Sequence, residues 1–545
     1  MPSLLDSVES EIDASFADNA LAFTPFGQSV WTLLSVAEDY HFKAVVHSPL
    51  SDSRAAMYVD NLMNELTYPL RVCHRLSPKD NIEIDRRMND KLYRSAHEWI
   101  ERAGNYVNFS SIFPLYHAKQ IELEIVGNTL IPSDWRLSDL SYEVYDRFVA
   151  KRDPESVSDV DQERFAGELA SHTNHSADTF SVRFDQRLVQ LLRETFGTQM
   201  MARHILPSGW RFAGFSLQEY RDVFTCLQSL AHGWFIARQL AVHKGVAHYG
   251  FRSSVWTPRK GALVMTLSRG TGHAKEKVNE ILSYMTFGEV GVRNPDVAIQ
   301  PIFDLLNGQY AVSPFLLMHT NGERNLCVLL NQIPQERVLY ARLVDEKEEE
   351  ARTQIIQTLA DMGLDFRHGR IGETDVDLAI IDRVSKICLC VEIKWFIEPA
   401  EIREVLARSE EIKKGVDQAV KIRAAFDRRD HTLFELLDID ETYDFLAMVG
   451  SENSIGNHAA QDQSVPVTKL WHLSSEIRRT GGVGPVLAWL RSRAYLPQEG
   501  RDYRILQIPI EIGKWRSTWY GIDYLHEEPG WVRPESMETS VASSI

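Results

Sequence analysis

The 545-residue chain predicts a mixed α/β, multi-domain protein: a mostly helical N-terminal half followed by a C-terminal α/β domain. Three observations carry this. The length exceeds a single hydrophobic core and suits roughly three or four domains. The composition, 44% hydrophobic and 25% charged, is that of an ordinary globular chain. Between residues 346 and 449, helical and strand-like periodicities follow one another in the order helix, acid-bearing strand, turn, strand, long helix, strand. The expected regions are 1–180, largely helical; 181–340, a helical connector; 341–533, the α/β domain; and 534–545, a Ser- and Glu-rich tail expected to be disordered.

In chain order, residues 1–50 show little periodicity, 54–110 predict helix, and 135–150 predict a short helix. Residues 151–181 are rich in Asp, Glu, Ser and His and predict a loop or linker. Helix returns over 182–247, with Val182, Phe184, Leu188, Leu191 and Leu192 at core spacing. His204, His232, His243 and His248 do not form a His-Glu-x-x-His pattern, so they are expected to be ordinary semi-buried histidines. Residues 261–287 predict two helices about a turn at Ser268 to Gly272, the outline of a helix-turn-helix. Arg269, Lys275 and Lys277 could meet phosphate there, although such a pair is more commonly packed scaffold. Short strands are expected around 300–330.

The segment 346–362 predicts helix, with Ile355, Ile356, Leu359 and Met362 at helical spacing and Gly363 placed to stop it. Two apolar strands follow, and each carries acids. Side chains alternate faces along a strand, so Asp375 and Asp377 share one face of the first, and Glu392 and Lys394 one face of the second. Paired as a hairpin across a turn at Arg383 to Lys386, the strands bring carboxylates and an ammonium together. Such a cluster is costly to desolvate unless a cation or ion pair offsets the repulsion, and a divalent ion with hard oxygen ligands does so. The segment 399–426 predicts a second helix, opened by Pro399 and Glu401. Ile402, Val405, Leu406, Ile412, Val416, Ala419 and Val420 form its core stripe. Residues 443–449 predict a buried strand.

This order, with Asp377, then Glu392-Ile393-Lys394, resembles the PD-(D/E)xK nuclease superfamily over roughly the last 200 residues. The Pro that often precedes the first acid is replaced by Val376. The resemblance implies a restriction-endonuclease-like domain, a central mixed sheet flanked by helices. It also implies metal-dependent hydrolysis of a phosphodiester. Asp377, with Asp375 as the competing assignment, and Glu392 would hold Mg²⁺, or Mn²⁺. Lys394 would orient or deprotonate the water, or neutralise developing charge. Gln418, on a helical face with Lys414 and Lys421, sits where relatives place a Gln or Lys near the metal or the substrate phosphate; that face could equally be solvated. Glu349 and Glu350 fall where some relatives place a further metal-ligating Glu.

Composition bounds the partners. The formal net charge of −17 argues against a broad nucleic-acid coat, though not against a local basic groove. The basic and aromatic stretch 478–516, including Arg491 and Arg493, suits either a phosphate-tracking surface or a structural core with ion pairs. The loop at 480–485 lacks the Lys-Ser/Thr of a P-loop. Five scattered cysteines give no disulfide framework and suit a reducing cytosol. Cys388 and Cys390 share the strand face of Glu392, but without a Cys-x-x-Cys pair they are expected to be buried thiols. Residues 1–14 lack a signal sequence, and no apolar run reaches the ~18 residues of a membrane span.

The expected activity is therefore a Mg²⁺-dependent nuclease, with DNA ahead of RNA as substrate. The N-terminal half would supply target recognition, oligomerisation or a protein contact, as in prokaryotic restriction and defence nucleases. The alternative is a non-catalytic nucleic-acid- or protein-binding scaffold that keeps the fold; an intact acid, acid, lysine set argues against it.

Overall fold

The computed structural model describes residues 4–47, 52–132, 140–148, 162–201, 204, 206–212, 214–372, 374–397, 399 and 402–525. The chain is mixed α/β and divides into two compact units, each discontinuous in sequence. The first takes the described residues of Met1–Phe109, Asp153–Tyr340 and Ile510–Trp515; the second takes those of Ser110–Arg152, Ala341–Pro509 and the residues from Arg516 on. The regions 1–180 and 181–340 thus contribute largely to one unit, while 110–152 goes with the C-terminal residues. No helix among the described residues is long and apolar enough to cross a membrane.

The first unit is helical. Helices Leu4–Ala17 and Phe26–Phe42 lie where little periodicity was expected. The reason is burial: nearly every residue of Phe26–Phe42 is buried, so no polar face marks a period. The polar stretch 151–181, expected as linker, holds the helix Gln162–His172 and a small hairpin, Thr173–His175 with Phe180–Val182; residues 149–161 lie outside the described set. Helices Gln186–Met201 and Leu217–His243 follow, the latter opened by a capping box of Ser216 and Glu219. The helix pair is Lys260–Thr271 and Lys275–Met285, with the turn a few residues later than expected, where Gly272 takes a left-handed cap. Lys277 is committed to the Gly214 carbonyl and Glu280. Buried in this unit, Arg238 bonds the Tyr249 carbonyl at 2.8 Å, the Glu38 carbonyl at 3.1 Å and Asp39 at 3.2 Å, and lies 4.3 Å over the Phe42 ring. Burial raises the Glu38 carboxyl to about 7 against the pull of Arg238.

The second unit is built on a five-stranded mixed sheet. Its core elements are α1 (Pro334–Leu359), β1 (Asp365–Ile371), β2 (Thr374–Asp382), β3 (Ile387–Lys394), α2 (Ile402–Asp427), β4 (Asp444–Ser451) and β5 (Val467–Lys469). α1 begins before the expected helix, and its first turns belong to the first unit. The strand order is β5-β4-β3-β2-β1. β1, β2 and β3 form an antiparallel meander, whereas β4 runs parallel to both β3 and β5. The β2–β3 turn falls at Arg383 to Lys386, as the sequence predicts. Gly363 ends the first helix in a left-handed conformation, φ 68°. Glu401, expected to help open α2, lies outside the described residues, as does the tail 534–545.

β3 and β4 are buried almost throughout. Such runs need cover on both faces. α2 covers the face of Glu392, Lys394 and Val449, where its Gly415 backbone comes close. Helices Leu470–Thr480 and Val483–Arg491 cover the other, with Leu470 against Gly450 and Val391; Val483–Arg491 thus begins inside the expected loop 480–485. The short helix Leu140–Phe148 joins this core through Tyr145, whose hydroxyl lies 2.6 Å from Thr468 Oγ1 and 2.9 Å from His472 Nδ1. The last two strands, Tyr503–Ile512 and Trp515–Tyr524, join Leu123–Val126 and Thr129–Pro132 in a separate four-stranded sheet.

One substitution tests the first unit. Arg238→Ala leaves the Glu38 and Asp39 carboxyl groups buried without their guanidinium, and should destabilise the unit by about 3–5 kcal/mol. Urea denaturation followed by tryptophan fluorescence measures it; a loss below about 1 kcal/mol would mean that these carboxyl groups are satisfied without Arg238.

Candidate functional site

The β2–β3 hairpin builds the site from its own register. Leu378 pairs with Val391, which carries Asp377 opposite Glu392 on the same sheet face. Past Leu378 the ladder opens, and the Ile393 N–H donates to the Asp377 carboxylate at 2.8 Å. Glu392 is 1% exposed, and its Oε1 accepts a 2.8 Å hydrogen bond from Lys394 Nζ. The second oxygen of Glu392 is buried without a hydrogen-bond partner. Asp377, Glu392 and Lys394 are therefore brought together, as period-two alternation on two paired strands requires.

Asp375, the competing first acid, is exposed and stands opposite Arg370 on β1. The carboxylate beside Glu392 is that of Asp377. Among the described residues no three His, Cys, Asp or Glu side chains are gathered as a metal-ligand cluster. A pair of carboxylates suits Mg²⁺, which keeps several waters and takes one or two carboxylates plus phosphate oxygens. The buried, unpartnered Glu392 oxygen is the feature such a cation would satisfy.

The helix acid at the site is Glu348; Glu349 and Glu350, where some relatives of the resembled family place a metal-ligating Glu, lie instead on the more solvated side of the helix. Glu348 Oε1 accepts from the Trp395 N–H at 3.4 Å and adds negative potential at Glu392 and Lys394. Glu349 pairs with Arg352, and Glu350 with the buried Lys347 at 2.6 Å. The signal was present: Glu348 lies on the α1 stripe of Ala351, Ile355 and Leu359, all buried. A second residue outside the sequence reading is Gly415. A Cβ there would meet Lys394 Cε at 3.2 Å, Val449 Cγ1 at 3.3 Å and Glu392 Cγ at 3.4 Å, so the missing side chain lets α2 close over the site. Gln418, one turn further on, is half-buried. Lys414 is exposed and paired with Glu411 at 2.8 Å.

Burial, then the neighbouring Asp377 carboxylate, raises Glu392 to about 7, against the pull of Lys394. Burial also opposes the Lys394 ammonium, but the Glu392, Glu348 and Asp377 carboxylates outweigh it and hold the group above the ordinary lysine range. Lys394 is thus a cation in this arrangement, suited to donating to an anion rather than to taking a proton. Cys388 and Cys390 are buried on the same strand, and the Cys388 contact followed by burial holds the Cys390 thiol protonated.

The basic stretch is largely committed elsewhere. Arg491 pairs with Asp444, which lowers that carboxyl's pKa. Arg493 donates to the Val465 carbonyl at 3.0 Å and to the Tyr495 hydroxyl at 2.9 Å. Arg478, Arg479, Arg501 and Arg504 pair with Asp361, Glu476, Asp502 and Asp523. Tyr495 and Tyr503 are buried. Of the two readings of 478–516, these contacts are those of the structural one.

Two measurements test this electrostatic arrangement. Free Glu392 ionises near 4.5 and folded Glu392 near 7. Between those values the folded state keeps a proton that the unfolded state has lost, so stability falls as pH rises through the window. Glu392→Gln does not titrate. In metal-free buffer its stability relative to wild type should grow between about pH 5 and pH 8, by on the order of 3 kcal/mol. A pH-independent difference in urea midpoints would place Glu392 in an ordinary solvated setting. Gly415→Ala should lower thermal stability, the crowding against Lys394, Val449 and Glu392 outweighing the ~0.5–1 kcal/mol that alanine gains over glycine inside a helix. An unchanged melting curve would mean that α2 has room to spare.

No family model, no curated protein and no solved structure matches the chain.

Proposed function

We propose that the chain is a metal-dependent nuclease whose C-terminal unit is restriction-endonuclease-like and hydrolyses phosphodiester bonds of nucleic acid, DNA ahead of RNA. One observation carries the reading. Glu392 is buried with one oxygen on Lys394 and the other without a partner, and it stands beside Asp377 on the adjacent strand. A stable fold gains nothing from an unpartnered buried carboxylate oxygen, so such an atom asks for a ligand. The order helix, three strands, helix, strand supports the same reading.

Asp377 and Glu392 would hold Mg²⁺, with Mn²⁺ as the substitute. The chemistry such an ion supplies is positive charge at a phosphate and acidification of a water. The residues of the chain do the remainder. The Ile393 N–H fixes one Asp377 oxygen, so the carboxylate is oriented before any ligand arrives. Glu392 would have to give up its proton to hold a cation, which would tie binding to pH. Lys394, the cation beside Glu392, would donate to a phosphate oxygen and stabilise the charge that grows there. Glu348 keeps negative potential on Lys394 and so keeps it protonated. Target recognition is assigned to the helical first unit, and a setting in prokaryotic restriction or defence accords with that division of labour.

The deciding experiment is incubation of the full-length protein with Mg²⁺ or Mn²⁺ and plasmid, linear duplex, single-stranded DNA and RNA. Asp377→Asn, Glu392→Gln and Lys394→Ala should each slow cleavage by on the order of a hundredfold or more. The two carboxylate variants should also weaken Mn²⁺ binding measured by electron paramagnetic resonance. In the wild type, Mn²⁺ affinity should rise with pH and level off above about 7, as Glu392 loses its proton. Wild-type cleavage rates in Glu392→Gln would remove the chemistry from this site.

A further inference from the structure

A nuclease needs a cation that grips substrate backbone beside the reacting phosphate, and the basic 478–516 stretch is largely engaged in intramolecular contacts. Another guanidinium answers better. Arg408 lies on α2, seven residues before Gly415, and therefore on nearly the same side of the helix and about 10 Å along it. Its Cζ sits 5.8 Å from the centre of the Phe396 ring. Its Nε is buried without a hydrogen-bond partner among the described residues. Arg408 is only partly exposed.

Phe396 follows Lys394 by two residues, and its segment is held on both sides. The Trp395 N–H donates to Glu348, and the Asn453 side-chain amide donates to the Phe396 carbonyl at 2.5 Å. The ring is 5% exposed and forms a fixed platform at the end of the strand that carries Glu392 and Lys394. A guanidinium over an aromatic face is weakly hydrated and able to fork onto two phosphate oxygens. Among the described residues no carboxylate pairs with Arg408, although the chain carries a net charge of −17.

We propose that Arg408, stacked on Phe396, binds a backbone phosphate of the nucleic acid adjacent to the one that reaches Glu392 and Lys394. This rests on the nuclease reading above and adds a substrate contact to it. Arg408 positions the substrate and takes no part in bond making, so the inference is tested by binding.

The probes are a fluorescein-labelled duplex DNA and a single-stranded RNA of equal length, titrated with full-length Asp377→Asn protein across a salt series. Adding Arg408→Gln should weaken binding by about tenfold or more and flatten the plot of log affinity against log salt by about 0.9, one phosphate contact. Arg408→Lys should restore most of that slope, because charge sets it. An unchanged slope in Arg408→Gln overturns the proposal, even if the wild-type protein cleaves. Absence of binding to either probe together with absence of wild-type cleavage overturns the nuclease reading as well. Should Arg408→Gln fail to fold, the unmutated protein decides through phenylglyoxal labelling read by mass spectrometry. Arg408 should be modified in the free protein and protected by the bound probe. A residue unmodified when free, or equally modified with and without probe, refutes the contact.

Discussion

The second unit is organised around one demand: a carboxylate placed inside a strand that is buried on both faces. Glu392 has no access to water, so its charge must be met by protein or by a ligand. Lys394 meets half of it from two residues along the same strand face. Asp377 and Glu348 make the problem worse, since both add negative potential. Glu392, Asp377 and Glu348 all act on the one lysine, so the surroundings of Glu392 carry more negative than positive charge. The surroundings follow from this. The β2–β3 register puts Asp377 opposite, the opened ladder end gives Asp377 an N–H to hold, and a glycine in α2 lets the helix close over the pair.

The site was legible in the sequence because two paired strands obey a period of two whatever else surrounds them. Asp377, Glu392 and Lys394 had to share a face once the turn at Arg383 to Lys386 was recognised. Less regular features escaped. Glu348 stayed unnamed beside Glu349 and Glu350 because three consecutive acids hide the helical phase, which the buried Ala351, Ile355 and Leu359 reveal. Helix Phe26–Phe42 gave no amphipathic signal, being buried nearly all round. Gly415 and Arg408 are ordinary letters in a helix; their meaning lies in what faces them, and sequence spacing carries no information about that.

The same physics recurs in the helical unit with a different outcome. Glu38 is as buried as Glu392, yet its first oxygen receives the Ser313 hydroxyl at 2.5 Å and the Phe315 N–H at 2.9 Å, while Arg238 sits alongside. Its other oxygen lacks a hydrogen bond but lies 4.0 Å from Arg238. Two carboxyl groups there share a guanidinium with no room for growth of charge, which reads as structural glue. At Glu392 the countercharge is instead a single lysine amine on a flexible stem, and one carboxylate oxygen is left without a partner.

The path of the chain has a consequence for its synthesis. Tyr145 belongs to the core of the C-terminal unit, where its hydroxyl is bound by Thr468, His472 and the Lys469 N–H. Yet it leaves the ribosome more than three hundred residues before those partners exist. The core around β5 therefore cannot be completed until residues near 472 have been made, whereas most of the helical unit is available much earlier. A nascent chain passes through a long interval with its helical unit largely made and its C-terminal unit unfinished. Any fragment begun at 341 would carry the acids and the lysine, and would lack the tyrosine that fills the core beside β5.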